Sequence, residues 1–65
     1  MVSDLDIWRS AQLLINQHGD NAELVACLRL DQLIGRGDPA GEAAWERILT
    51  KVRELQSATT ATVLH

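Results

Sequence analysis

The apolar positions of the chain fall into three stretches with helical spacing. Ile7, Trp8, Ala11, Leu14 and Ile15 recur at intervals of three and four residues, which winds them onto one face of a helix. Ala22, Ala26, Cys27, Leu30, Leu33 and Ile34 make a second, broader stripe. Gly41, Trp45, Ile48, Val52 and Leu55, with Ala44 beside them, make a third. Glu46, Arg47, Thr50 and Glu54 occupy the opposite side of that third stretch, which makes it the cleanest amphipathic helix of the three. No segment alternates apolar and polar residues as a half-buried strand would, and no segment repeats another.

The residues between the stripes are helix stops and starts. Ser3 is a good N-cap for the first helix, with Asp6 at the capping-box position and Asp4 and Asp6 near the positive end of the helix dipole. His18-Gly19 closes that helix. Asp20-Asn21-Ala22-Glu23 opens the second with an acidic capping pair, and the helix runs to Gly35. Gly35 and Gly37 terminate, Asp38 caps, and Pro39 takes the first helical position, where its missing N–H costs nothing. After Gln56 the segment SATTATVLH carries no stripe and no cap. Residues 1–56 are thus expected to form the folded unit and 57–65 a flexible, disordered tail.

Short connections make neighbouring helices antiparallel, so the pattern predicts an all-α, up-down-up three-helix bundle. It also predicts that Trp8, Trp45, Leu33 and Ile34 gather at one end, where Gly41 would leave room for an indole ring.

Composition sharpens this picture. Sixty-five residues make one domain with a marginal core, a size at which dimers and staples are common. An apolar fraction of 46% argues against a chain disordered throughout, but with no Phe or Tyr and two Trp the core must be filled by aliphatic residues. A single cysteine, Cys27, excludes an intramolecular disulfide. The N-terminus lacks a charged-then-apolar signal pattern, and no apolar run approaches the roughly 20 residues that span a bilayer. A cytoplasmic protein is expected. The net charge of −3 offers no electrostatic attraction to nucleic acid or an anionic membrane.

Several short motifs could carry chemistry, and each has a simpler structural reading. Arg36-Gly37-Asp38 as an adhesion ligand needs an exposed extracellular loop, whereas all three residues have helix-boundary roles. The Gly35-x-Gly37 pair lacks the preceding strand and further glycines of a phosphate loop, and Asp38 would repel the anion. Leu14 to Leu28 can be laid over a helix-turn-helix. The residues flanking its Gly19 are then His18 and Asp20 instead of apolar, and Asp20 and Glu23 would face phosphates. His18, Cys27, Asp31 and His65 have no spacing that converges on one metal ion. His18 suits a helix C-terminus and Cys27 a small core site. No histidine accompanies a plausible serine or cysteine nucleophile, and so short a chain can hardly enclose a ligand pocket. No enzyme, cofactor or metal site is expected.

What the bundle leaves unexplained is an excess of apolar residues. At about 100° per residue, Leu24, Val25 and Leu28 fall outside the second stripe, beside Asp31 and Gln32. Leu13 points away from the first stripe, and Leu5 does so more mildly. Either helix two is central and more fully wrapped than a three-helix domain suggests, or these are isolated exposed leucines, or they form a protein-binding face. The reading carried forward is an interaction face of Leu13, Leu24, Val25, Leu28 and Arg29 that pairs with a second copy. In such a dimer Arg29 would reach Asp31 or Glu23 of the other chain. The alternative class is a nucleic-acid-binding or regulatory module of the transcription or toxin–antitoxin type, or a small inhibitor protein of a mobile element. A three-helix bundle can serve as a scaffold for DNA binding.

Trp8, Ala11, His18-Gly19, Ala22, Arg29, Leu33, Gly37-Asp38, Gly41, Trp45, Ile48 and Leu55 together resemble a family of short bacterial helical proteins of unknown function. The paired tryptophans and the Gly-Asp-x-x-Gly-x-x-x-Trp arrangement carry that resemblance, which covers most of the chain except the tail. It implies a small helical bacterial protein and transfers no functional residues.

Overall fold

A computed structural model describes the backbone of residues 3–63 and the side chains of residues 3–57. The sequence that begins Ser3-Asp4 does start a helix: α1 spans Asp4–His18, and the Ser3 hydroxyl accepts from the Asp6 N–H at 3.2 Å. Its C-terminal Gly19 N–H donates to the Ile15 carbonyl. A single 3-10 turn, Gly19–Asn21, then leads into α2, Ala22–Arg36. The acidic capping pair expected at Asp20 and Glu23 is absent, and Asn21 caps α2 without a side-chain hydrogen bond. The Ala22 N–H donates to the Gly19 carbonyl instead, so backbone satisfies a donor that a side chain would otherwise take.

The junction of α2 with α3, Pro39–Val63, is set by Gly37 and Asp38. The helix passes through Gly35 and stops at Gly37, which is left-handed at φ 69°. Gly37 N–H donates to the Ile34 carbonyl and Asp38 N–H to the Leu33 carbonyl, both at 3.1 Å, the paired bonds of a Schellman end. Asp38 then caps α3, accepting from the Gly41 N–H at 3.1 Å. Glu42 N–H closes the first turn on the Asp38 carbonyl. Arg36-Gly37-Asp38 is therefore a helix boundary.

The three helices form an all-α bundle, and every pair of helices packs together. Two contacts tie α1 to α3 in the same direction: Arg47 pairs with Asp4 near the starts of the two helices, and the Gln56 amide donates to the Gly19 carbonyl at 2.9 Å near the end of α1. α2 runs against α3, since Glu23 meets Arg53 while Arg29 lies over Trp45. This is the up-down-up order.

The core consists of Ile7, Ala11 and Leu14 from α1, Ala22 and Ala26 from α2, and Ile48, Leu49 and Val52 from α3. Alanines on α2 let its backbone approach its neighbours closely, which suits a core without Phe or Tyr. Ile15, Val25, Cys27, Leu30, Trp45 and Leu55 pack against this centre while partly buried.

Five expectations change. Leu49, absent from the predicted stripe, is buried beside Ile48, because α3 faces both other helices and needs a wider apolar arc. Trp8 is 44% exposed, because Ile7, Ala11 and Leu14 take the inner positions and three slender helices cannot cover an indole at the flank. Ile34 is also exposed, in the last turn of α2, where α3 begins with small residues. The atoms nearest the space at Gly41 belong to Asp38 and Leu33, not to an indole. A Cβ there would meet the Asp38 carboxylate at 2.7 Å and the Leu33 side chain at 3.0 Å, so the glycine makes room for the cap and a leucine. Finally, α3 does not end at Gln56 but continues as helical backbone to Val63. Packing does stop near the expected place, since Leu55 is the last residue against the core among the described side chains. Beyond it, i to i+4 backbone bonding propagates the helix without a stripe. His65 lies outside the described residues.

Candidate interaction surface

Leu24 and Leu28 occupy consecutive turns of α2, and each leaves more than half of its surface in solvent, at 58% and 54%. Helical geometry places them on the side of α2 away from Ala22 and Ala26, the fully buried residues that face the other two helices. On α1, Leu13 is likewise exposed, at 55%, away from Ile7, Ala11 and Leu14. Leu5 and Trp8 add exposed apolar surface nearer the start of α1. The excess of apolar residues is therefore not absorbed by the bundle.

Two residues assigned to that face have contacts within the bundle. Val25 is partly buried and packs against the core, so it belongs to the inner flank of α2. The reason is angular: Val25 lies three residues after the buried Ala22, about 60° from it around the helix, within the arc that two neighbours can cover. Arg29 is exposed but engaged within its own chain, its guanidinium 5.7 Å from the centre of the Trp45 ring. Glu23, one suggested partner for Arg29 across a dimer, is bound to Arg53. Glu23 raises the pKa of that guanidinium above its ordinary value, first through the hydrogen bond and then through its charge.

The outer side of α2 carries a further regularity. Asn21, Leu24, Leu28, Asp31 and Gly35 follow one another at spacings of three, four, three and four residues, which is one continuous line along the helix. Among the described residues neither the Asn21 nor the Asp31 side chain has a hydrogen bond or ion pair. Cys27 sits on the flank between this line and the core, partly buried.

An open groove of about 520 Å³ lies between α1 and α3, lined by Asp4, Ile7, Glu46, Arg47, Thr50, Lys51 and Glu54. Its charges largely satisfy one another, Arg47 with Asp4 and Lys51 with Glu54 at 2.9 Å. The Thr50 hydroxyl donates to the Glu46 carbonyl at 3.0 Å, leaving no activated nucleophile there. Among the described residues no three His, Cys, Asp or Glu side chains come together in a way that could hold a metal ion. Of the six basic residues, Arg47, Lys51 and Arg53 are paired with carboxylates and Arg29 covers Trp45. Among the described residues no helix is long and apolar enough to cross a membrane.

No protein-family profile matches this chain, and neither a curated protein nor a solved structure shows significant similarity to it. The surface itself is therefore the basis for a functional reading.

Proposed function

We propose that this protein is a non-enzymatic interaction module that self-associates through the outer face of α2, with Leu13 of α1 contributing. The observation that carries this reading is the pair Leu24 and Leu28, more than half exposed on consecutive turns of a helix whose other side is already packed. Contiguous exposed apolar surface of this kind marks partner contacts. A second copy is the partner that the chain always has at hand, and a two-fold pairing gives each leucine pair an identical counterpart. It also enlarges a core in which, among the described residues, Val52 is the one fully buried side chain larger than alanine. A stable dimer needs roughly 800 Å² from each partner. The leucines supply the apolar centre of such a patch, and the neighbouring polar surface of α1 and α2 must supply its rim.

The test is the solution mass by light scattering across a wide concentration range, for the wild type and a Leu24→Glu, Leu28→Glu double variant. The expected result is a wild-type dimer and a variant that is monomeric yet retains its helical circular dichroism. A wild type that stays monomeric at every concentration overturns self-association.

A further inference from the structure

Resting on that self-association, we infer that two α2 helices pair antiparallel about a two-fold axis that passes level with Ala26. The line Asn21, Leu24, Leu28, Asp31 is symmetric about that residue: the leucines stand two positions either side of it and the polar residues five. Antiparallel pairing on that axis sets each Leu24 against Leu28 of the second copy. It sets each Asn21 against Asp31 of the second copy, an amide donor facing a carboxylate acceptor.

The parallel alternative fits worse on three counts. In register it would bring the two Asp31 carboxylates together, and like charges across a helical seam repel. It would leave each Asn21 facing only another Asn21. It would also align the two helix dipoles, which antiparallel packing opposes.

The flanking groups are compatible with this choice. Arg29 is held over Trp45 and Glu23 by Arg53, so neither needs a partner from the second copy. Asn21 and Asp31 are the two residues on the line whose side chains lack an intrachain partner and could gain one. Gly35, next on the line after Asp31, is exposed, and a Cβ built on it meets no atom within 4 Å. On the proposed axis Gly35 lies nine positions from Ala26, beyond the level of Asn21 at the start of the second copy's α2, so that end of the line stays outside the helix pairing.

Cysteine pairing reads out the geometry directly. In a Cys27→Ala background, one preparation carries Asn21→Cys and another carries Asp31→Cys. The ten-residue separation of positions 21 and 31 corresponds to about 15 Å along a helix. Around the proposed axis, each single variant therefore holds its own two thiols too far apart to join, whereas a mixture brings unlike thiols together. The expected result is a covalent dimer on mild oxidation of the mixture, with little in either preparation alone.

Covalent dimers in each preparation alone would mean parallel pairing and would overturn this arrangement while leaving self-association standing. Dimers by light scattering that fail to crosslink in any mixture would also overturn it, because the interface would then lie elsewhere. A background protein that is monomeric by light scattering, with the wild type monomeric too, would fail the underlying reading and this one with it.

Discussion

Truncating one exposed and one buried side chain separates the two roles assigned to apolar residues here. Val52 is fully buried at the centre of the core, and Leu28 is more than half exposed on α2. Val52→Ala removes two methyl groups at about 0.8 kcal/mol each and leaves a small cavity, for a total loss of about 2–3 kcal/mol. In a domain of this size that lowers the melting temperature by about 10–20 °C. Leu28→Ala removes a side chain that the single chain covers less than halfway, so monomer stability falls by about 1 kcal/mol, short of the Val52→Ala loss. The dimer, by contrast, loses the remaining burial twice, once from each copy. With full burial of a leucine worth about 1.5–3 kcal/mol, the exposed half contributes roughly 1–1.5 kcal/mol per copy and 2–3 kcal/mol in all. The dimer dissociation constant should rise roughly 30- to 150-fold. Thermal unfolding below the dissociation constant measures the first effect, and sedimentation equilibrium measures the second. If Leu28→Ala destabilised the monomer as much as Val52→Ala and left association unchanged, the division into core and docking face would be refuted.

The helix boundaries offer further tests by urea denaturation. Gly41→Ala should stabilise nothing and cost about 1 kcal/mol, because its Cβ would press on Asp38 and disturb the cap, whereas Gly35→Ala meets open space inside α2 and should gain a few tenths of a kcal/mol. Asp38→Ala removes the α3 cap and should cost about 1 kcal/mol. Gly37→Ala forces a side chain into the left-handed region at φ 69° and should cost about 1–2 kcal/mol. Glu23→Gln at the exposed pair with Arg53 should change stability by less than about 1 kcal/mol, with the difference vanishing in high salt; a larger, salt-insensitive loss would contradict the exposed placement of that pair.

The features legible along the chain are local. The starts of α1 and α3 at Ser3 and Asp38 and the stop at Gly37 each depend on a hydrogen bond or a backbone angle within a few residues, so residue type and spacing suffice. The inner positions Ile7, Ala11, Leu14, Ala22, Ala26, Ile48 and Val52 were equally legible, because helical periodicity gives the direction of a buried face. So was the outward placement of Leu13, Leu24 and Leu28. Periodicity does not say how wide an arc the neighbours cover, and that width was decided by the tertiary structure. Leu49 and Val25 were drawn inward where two helices flank their own, and Trp8 and Ile34 were left outside where cover runs short. Only packing brought Arg29 to Trp45 and Glu23 to Arg53, contacts that span 16 and 30 residues and leave no local trace. The extension of α3 to Val63 was hidden for the opposite reason: once a helix is nucleated by packed turns, its backbone bonds propagate without the apolar stripe that a reading of the sequence depends on.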